Sequence, residues 1–456
     1  MLNRRELLKG AAGASILRAS EPSYRFRGYL GWITDLDSRP DPHAAWPSMR
    51  LDETLLAEYR RTFRLMRQLG YNGIVVWGLY VSRDWPADIP TAVTPERGQL
   101  VSRLIASAHA EGIRVSSGLG VFSWGFEELI RVYPSLSRTN PKAMCASNPE
   151  SWAWMEKITD FVFRRFPIDG VSMQSADQGR CNCRQCSRWS DSEYHARINA
   201  READYIRSKW SGKTVAVNGW GQKFEDPASL PNMIAMGRKA DYLIDVGDGT
   251  REAGGANRRK VIRSLPCAFG TIGGRQVEPP QHWARGRWFL PTPRAQGEHL
   301  TALAADGGRA CEYFFHILAN PGDEVSFWVA GKLMNDVATP WRKHLESALE
   351  ELYNVTKRPV VEALADLFAR AEHAYLQYIP ERTATISMEP LVENYAGPPV
   401  CLTRLKLEQR AAYDRDLSKI AEGFRKLSGE VREKTRIEKI LRCVATVRTD
   451  LRNLPK

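Results

Sequence analysis

Short β-type runs alternate with amphipathic helical stretches between residues 27 and 316, and this order constrains the fold more than any other feature of the chain. In the helical stretches the apolar residues recur every three and four positions. Eight such units over about 290 residues predict a (β/α)8 TIM barrel, with residues 25–320 as the catalytic domain. The predicted strands are Arg27–Ile33, Gly73–Trp77, Ile113–Gly118, Gly170–Gln174, Thr214–Asn218, Tyr242–Val246, Trp288–Pro291 and Ala310–His316.

Two regions depart from this alternation. The connection Gly247–Arg287 is long and rich in Gly and Pro, and its Phe269–Gly274 run superficially resembles a phosphate loop. The spacing of that run fits no nucleotide motif and no Lys-Ser/Thr follows, so a substrate-facing loop is predicted instead. After Pro321 the strand signals stop, which predicts an α-helical C-terminal domain over residues 321–456.

The N-terminal 22 residues read as a twin-arginine export signal. Arg4 and Arg5 precede a leucine pair, Lys9 and a short apolar stretch of small residues. This order predicts an exported protein, periplasmic or extracellular, that is a client of the twin-arginine export machinery. The alternative is an amphipathic first helix with a chance arginine pair.

The net charge of +12 raises the question of a nucleic-acid partner. Residues 401–456 carry 15 Lys/Arg against 8 Asp/Glu, spread over predicted helical surface. This distribution favours a solvated basic face over nucleic-acid binding, with a polyanionic glycan or the cell envelope as alternatives. No run approaches the roughly 20 apolar residues of a membrane span, so no transmembrane segment is predicted.

In a TIM barrel the residues at the C-terminal ends of the strands line one shared mouth. Here that set combines aromatic rings with carboxylates and amides, which together suit a polyhydroxylated ligand and predict a carbohydrate substrate. The strand-end residues are Trp32, Asp35, Asp37, Trp77, Tyr80, Phe122, Trp124, Gln174, Asp177, Asn218, Trp220, Asp245, Asp248, Arg294, Glu312, Tyr313 and His316. The predicted substrate-binding residues are Trp32, Asp35, Trp77, Trp124, Gln174, Asn218, Trp220, Tyr313 and, from the long connection, His282. The alternatives are rings that fill space between strands and helices and a surface-loop histidine.

Cleavage of a glycosidic bond needs a proton donor and a second carboxylate. Glu312 lies in an otherwise apolar strand, where burial would raise its pKa, so it is the predicted acid/base. Asp177 follows the fourth strand and is the predicted nucleophile or stabiliser, with Asp245 and Asp248 in reserve. The alternatives are a helix N-cap or metal-site role for Asp177 and a salt bridge to Arg294 for Glu312.

The function predicted from these residues is glycoside hydrolysis without a catalytic cofactor. Two other classes stay open. One is a noncatalytic carbohydrate-binding barrel that keeps the aromatic residues but lacks productive carboxylate geometry. The other is a metal-dependent carbohydrate hydrolase or deacetylase.

Three closely spaced cysteines follow the fourth strand. Cys181, Cys183 and Cys186 form a C-x-C-x2-C motif, and Cys145 is the candidate fourth ligand. A four-cysteine zinc site would be closed and structural, and would clamp the loop that carries Asp177. Two disulfides or free thiols are the alternatives in an exported protein.

The Ile168–Cys186 segment resembles the signature of proteins with domain of unknown function 4838. That group includes glycoside hydrolase family 163 and is distantly similar to the family 20 hexosaminidase-type barrels. The Gly307–Tyr313 run is similar to the group's last barrel strand. The resemblance implies a retaining or substrate-assisted hydrolase of glycans containing N-acetylhexosamine or related sugars. Asp177 stands without the adjacent Glu of the family 20 enzymes.

Overall fold

Eight parallel strands, paired in chain order, close into a barrel, and this confirms the predicted fold. The structure is a computed structural model that describes residues 22–33, 51–81, 84–219, 222, 226–245, 255–273, 288–314, 321–378 and 400–454. The strands are β1 Phe26–Trp32, β2 Gly73–Trp77, β3 Arg114–Gly120, β4 Gly170–Gln174, β5 Thr214–Asn218, β6 Tyr242–Asp245, β7 Ala268–Gly273 and β8 Ala310–Phe314.

The seventh strand was predicted in the wrong place. The structure has it at Ala268–Gly273, inside the Phe269–Gly274 run that was predicted to be a substrate-facing loop, whereas Trp288–Pro291 is not a strand. A Cβ on Gly270 would lie 2.5 Å from the carbonyl oxygen of Ala310 on β8, so this glycine lets the two strands approach each other. Glycines that serve close strand packing therefore look like loop residues in the sequence.

The helices alternate with the strands and then continue alone. Their N-termini commonly carry a capping residue: Asp52, Thr94, Asn148 and Ser190 each accept a backbone N–H of the first turn.

The described residues contain no helix long and apolar enough to cross a membrane. The helices are α1 Glu53–Gln68, α2 Pro95–Ala110, α3 Glu127–Val132, α4 Pro149–Arg165, α5 Asp191–Lys209, α6 Leu230–Gly237, α7 Gly255–Ser264, α8 Pro293–Asp306, α9 Pro321–Asn335, α10 Trp341–Tyr353, α11 Arg358–Tyr378, α12 Val400–Thr403, α13 Leu407–Leu427 and α14 Lys434–Arg452.

Helix α9 packs on the barrel in the position of an eighth barrel helix. The ring of Phe327 stacks on Tyr71, which lies just before β2, with centroids 4.3 Å apart. The Tyr71 hydroxyl also donates to the carbonyl of Phe327 at 2.9 Å. The predicted domain boundary at residue 320 separates this helix from the barrel that it covers.

The segment before α8 is buried among the C-terminal helices. Phe289 makes edge-to-face contacts with Phe368 of α11 and Phe424 of α13, at centroid distances of 5.2 and 5.5 Å. Trp288 is fully buried, and its indole Nε1 donates to Asp450 of α14 at 2.7 Å. The barrel chain and the helical region therefore contribute to one continuous core.

A repeated contact closes the N-terminal end of the barrel. Asn72, Asp169 and Asp241 each stand just before an even-numbered strand, and each side chain accepts a backbone N–H from the preceding odd-numbered strand. The bonds are Arg27 N to Asn72 Oδ1 at 2.9 Å, Val115 N to Asp169 Oδ2 at 2.7 Å, and Val215 N to Asp241 Oδ2 at 2.9 Å. At this end the side chains therefore complete the hydrogen bonding of the strands.

Candidate active site and four-cysteine cluster

Because side chains alternate along a strand, every second residue of the barrel points to its interior. The apolar cluster inside the barrel consists of Phe26, Leu30, Val75, Trp77, Trp124, Ala216, Tyr242, Ile244, Ile272 and Ala310. Glu312 follows Ala310 by two residues and shares its orientation. The interior thus places one carboxyl among aromatic and aliphatic side chains.

Glu312 is 1% exposed. The Ser172 hydroxyl of β4, on the opposite side of the barrel, donates to Glu312 Oε1 at 3.0 Å. Burial raises the pKa of Glu312 to about 7, although the hydrogen bond from Ser172 acts in the opposite direction. Near neutral pH the carboxyl can therefore both donate and accept a proton, as a general acid/base must.

Arg294, the alternative partner of Glu312, lies in the first turn of α8. Its backbone N–H donates to a carboxylate oxygen of Glu372 at 3.0 Å, and the neighbouring N–H of Ala295 donates to the other oxygen at 2.7 Å. Glu372 belongs to α11, so a carboxyl of the helical region caps the N-terminus of a barrel helix.

Two tryptophans meet inside the barrel mouth. Trp77 ends β2 and Trp124 follows β3, and their rings contact edge to face with centroids 4.8 Å apart. A Cβ on Gly118 would lie 2.1 Å from Cδ2 of Trp77, so glycine at this position makes room for the ring. The two rings are 4% and 8% exposed, so the pair is part of the apolar lining just inside the mouth.

The backbone that presents Trp124 is strained. Phe122 and Trp124 adopt left-handed conformations, with φ of 64° and 71°. For residues other than glycine this costs about 1–3 kcal/mol each, and such strain is concentrated at functional sites. Phe122 itself points away from the mouth and packs on Trp152 at 4.4 Å between centroids.

Two amides add polar groups to this mouth. Gln174 ends β4 and Asn218 ends β5, and by strand alternation both face the interior with Ser172. Both are buried, and Gln174 Nε2 has no hydrogen-bond partner among the described residues. A buried donor of this kind is suited to binding a ligand oxygen.

Other predicted site residues lie elsewhere. Asp177 is exposed in the loop after β4. Asp245 follows the inward-facing Ile244, so its buried side chain alternates to the outer face of the barrel. Tyr313 also faces outward, where its ring packs against Phe327 at 6.0 Å. The catalytic roles of Asp177 and Asp245 stay predictions.

Several predicted positions fall outside the described residues. They are Asp35, Asp37, Trp220, Asp248, His282 and His316; for Trp32, the end of β1 is described but its side chain is not. Tyr80 is described. It lies against helix α4 rather than in the mouth, and its hydroxyl donates to the carbonyl of Val162 in that helix at 2.6 Å.

A buried hydrogen-bonded network lies beneath the loop after β4. Ser175 Oγ is 3.2 Å from His195 Nδ1 and accepts from Asn199 Nδ2 at 2.8 Å. The arrangement has the residue types of a hydrolytic triad, but Ser175 is 0% exposed and alternates away from the barrel interior. Burial lowers the pKa of His195 to about 4, so the ring is neutral at neutral pH. The network therefore supports the loop rather than forming a nucleophile.

Sequence reasoning did not identify Ser172 as the contact of Glu312. Its period-two spacing with Gln174 in β4 was the available signal, since it places both on one face of the strand. The contact between Ser172 on β4 and Glu312 on β8 forms across the barrel, so it depends on closure of the sheet.

The four predicted cysteine ligands come together. Cys145, Cys181, Cys183 and Cys186 are buried free thiols with all Sγ atoms within 4.8 Å of one another. The Cys145 sulfur is 3.7 Å from that of Cys183 and 3.9 Å from that of Cys186. Tetrahedral zinc with bonds of about 2.3 Å requires sulfur separations of about 3.8 Å, so the cluster fits a metal ion.

The thiols have contrasting acidities. Burial would raise the pKa of Cys183, but hydrogen bonds from Ser147 and from the backbone N–H groups of Cys186 and Gln185 lower it to about 6. Burial raises the pKa of Cys145 and Cys186. A bound cation would favour the thiolate form of all four residues.

Comparisons with known proteins place the fold among glycoside hydrolases. No protein-family model matches the chain, and no curated protein matches it in sequence. Three similar solved structures are glycoside hydrolases with this barrel. One of them, a GH138 enzyme targeting pectin rhamnogalacturonan II, has a TM-score of 0.60 and 11% identity over 94% of this chain and 57% of its own.

The other two are a mutant O-GlcNAc hydrolase of Thermobaculum terrenum and CpGH84B. Their TM-scores are 0.53 and 0.52, with 12% and 11% identity over 94% of this chain. The matches cover 83% and 67% of those two chains. This chain therefore spans little more than half of the GH138 enzyme and a larger share of the two other structures, and it shares their fold.

Proposed function

We propose that this protein is a glycoside hydrolase in which Glu312 is the acid/base. The observation that carries the proposal is a buried carboxyl with a pKa of about 7 inside a barrel whose mouth also holds Trp77 and Trp124. The fold shared with glycoside hydrolases supports it. Fold alone leaves the reaction open, so the proposal depends on the site.

Glu312 donates its proton to the glycosidic oxygen as the bond to the leaving group breaks. A second carboxylate then either attacks the anomeric carbon or activates a water molecule. Asp177 is proposed for this role, with Asp245 in reserve. A separation from Glu312 of about 5.5 Å in the substrate complex would give retention, and one of about 6.5–9.5 Å inversion.

The remaining mouth residues bind and orient the sugar. The Trp77 and Trp124 pair supplies the apolar surface, while Gln174 and Asn218 supply hydrogen bonds to hydroxyl groups. Trp32, Asp35, Trp220 and His282 stay proposed substrate-binding residues, whereas Tyr313 faces outward against Phe327 and is not proposed for this role.

The test is hydrolysis of a panel of aryl glycosides and polysaccharides by purified protein. The panel includes pectin fragments and N-acetylglucosaminides, the compounds named for the structural neighbours. Glu312→Gln is expected to lose about 10²–10⁴-fold in kcat because the proton donor is removed. Equal activity of wild type and variant would contradict the role of Glu312.

Glu202 provides a matched control. It is buried between α4 and α5, accepts a hydrogen bond from Thr159 at 2.6 Å, and has its pKa raised to about 7 by burial. Glu202→Gln therefore removes a similar buried carboxyl outside the mouth. Its activity per folded molecule is expected to match the wild type.

The positions of the other carboxylates favour a second candidate, a noncatalytic carbohydrate-binding barrel. Asp177 is exposed and Asp245 faces outward, so neither points with Glu312 into the described interior. Glycan binding that persists without hydrolysis, in both wild type and Glu312→Gln, would support this candidate.

We also propose that the cluster of Cys145, Cys181, Cys183 and Cys186 holds a structural zinc ion. Four buried sulfurs within 4.8 Å of one another support it, with Cys145 at 3.7 and 3.9 Å from Cys183 and Cys186. Metal analysis is expected to give one zinc per chain, and denaturing alkylation four reduced thiols. Disulfides at these positions would contradict it.

Export by the twin-arginine machinery is proposed from residues 1–22. Replacing both Arg4 and Arg5 by Lys is expected to retain the protein in the cytoplasm. Fractionation of cells that express either form measures this, and unchanged export would contradict the proposal.

A further inference from the structure

The four-cysteine cluster connects two different mouth loops. Cys145 lies in the long connection from β3 to α4, which also contains Trp124. Cys181, Cys183 and Cys186 lie in the connection from β4 to α5, which also contains Asp177. Any metal held by these four sulfurs would cross-link the two loops.

Hydroxyl groups around the sulfurs make the same connection. Ser147 and Thr139 belong to the loop after β3, and they contact the sulfurs of Cys183 and Cys181, both at 3.5 Å. Thr139 Oγ1 also accepts the backbone N–H of Asn182 at 2.7 Å. Contacts of this kind orient metal ligands and support thiolate charge.

A second group of hydrogen bonds extends from the cluster toward Trp124. Gln178, next to Asp177, receives Asn140 Nδ2 on its carbonyl at 2.9 Å, and its own N–H donates to Ser123 Oγ at 2.8 Å. Ser123 stands between the two left-handed residues Phe122 and Trp124. The loop after β4 thus holds the strained turn at its centre.

The turn is also held from the Cys145 side. The backbone N–H of Met144, adjacent to Cys145, donates to the carbonyl of Phe122 at 2.8 Å. A strained backbone persists only where its surroundings fix it. Two of these contacts come from residues close to cluster cysteines, because Met144 precedes Cys145 and Gln178 lies three residues before Cys181. A third contact, from the Trp85 N–H to the Gly125 carbonyl at 2.9 Å, does not involve the cluster.

We infer that the metal at the four-cysteine cluster fixes the left-handed turn that presents Trp124, so that the sugar-binding surface in the mouth depends on metal occupancy. Thr139, Ser147 and Ser123 are positioning residues in this arrangement. What Trp124 binds rests on the proposed function, whereas the coupling between metal and turn does not.

The test combines metal content with amide hydrogen exchange of the full-length protein. Chelation that removes the metal from the folded protein is expected to accelerate exchange at least about tenfold at residues 121–125 and 143–145, as well as at 176–188. Exchange in β1 and β2 is expected to stay unchanged. Reconstitution with Co²⁺ is expected to restore slow exchange and to give the visible absorption of a tetrahedral cobalt thiolate centre.

Variants keep the inference testable if chelation unfolds the protein. Cys145→Ser is expected to lower metal content and to accelerate exchange at residues 121–125, whereas Cys267→Ser, a half-buried cysteine outside the cluster, should do neither. Metal loss with unchanged exchange at 121–125 would overturn the inference, as would a protein that binds no metal. If exchange at residues 121–125 depends on the metal but the protein hydrolyses no glycoside, only the proposed function is contradicted.

Discussion

The two ends of the barrel differ in how completely their polar groups are satisfied. At the N-terminal end, Asn72, Asp169 and Asp241 each accept a strand N–H. Below the mouth, Glu312 is a buried carboxyl with a raised pKa that accepts a hydrogen bond from Ser172, and Gln174 Nε2 has no partner among the described residues. The first arrangement stabilises the fold, whereas the second leaves a buried amide donor available to a ligand.

The backbone shows the same difference. The described positive-φ residues other than glycine are Phe122, Trp124 and Asn354, and the first two lie together in one mouth loop. Asn354 ends a C-terminal helix, where a left-handed residue is ordinary. Among the described residues, strain in the barrel is thus confined to the end proposed to bind sugar.

The largest effect is expected at Glu312, in the pH dependence of the free energy of unfolding. Burial raises the pKa of Glu312 from 4.5 to about 7, so between these values the folded state holds a proton that the unfolded state releases. Stability therefore falls as pH rises through this window. Glu312→Gln has no proton to lose in this range. Its free energy of unfolding should therefore exceed that of the wild type by up to about 3 kcal/mol near pH 8 and equal it near pH 4.

Denaturant unfolding of both proteins across this pH range measures the effect. Glu202 and Glu372 also have raised pKa values, but they are common to both proteins and cancel in the difference. A difference that does not change with pH would mean that Glu312 is hydrated or paired in solution.

A smaller stability change is expected at the opposite end. Asp241→Ala removes the acceptor of the Val215 N–H and should cost about 1–2 kcal/mol, with activity per folded molecule unchanged. Asp241→Asn keeps an acceptor oxygen and should recover most of the loss, as the natural Asn72 suggests. Thermal unfolding and specific activity together test this. Reduced specific activity in Asp241→Ala would remove the functional distinction between the two ends.

The smallest effect separates strain from sugar binding at Trp124. Trp124→Ala and Trp124→Gly both remove the ring and should raise KM about 2–10-fold, the range for one aromatic contact. Only glycine adopts the positive φ without cost, so Trp124→Gly should be about 1 kcal/mol more stable than Trp124→Ala. Saturation kinetics and unfolding measure the two properties. Unfolding of both variants would show that Trp124 is a core residue.

Strand positions were predictable where a short run of β-type residues stood between two helical stretches. β2, β4 and β5 begin and end as predicted. β7 was not predictable, because Gly270 is required for contact with Ala310 and its sequence resembles a loop. The residue pattern of a segment describes one strand at a time, whereas the need for glycine arises from the contact between two neighbouring strands.

In the candidate site, too, features within one segment were predictable and features that depend on the closed barrel were not. The cysteine spacing predicted four residues that the structure brings together, because three of them are close in sequence. The orientation of Asp245 depends on which strand face meets the interior, and the partner of Glu312 depends on barrel closure. Both are properties of the closed sheet, which no single segment encodes.

The burial of Phe289 among Phe368 and Phe424 has a consequence for how this protein melts. Because a segment between β7 and α8 fills the core of the C-terminal helices, the barrel cannot open without exposing that core. We expect a single calorimetric transition whose enthalpy reflects the whole chain. A protein shortened to the predicted barrel would lack the partners of Phe289 and aggregate through it.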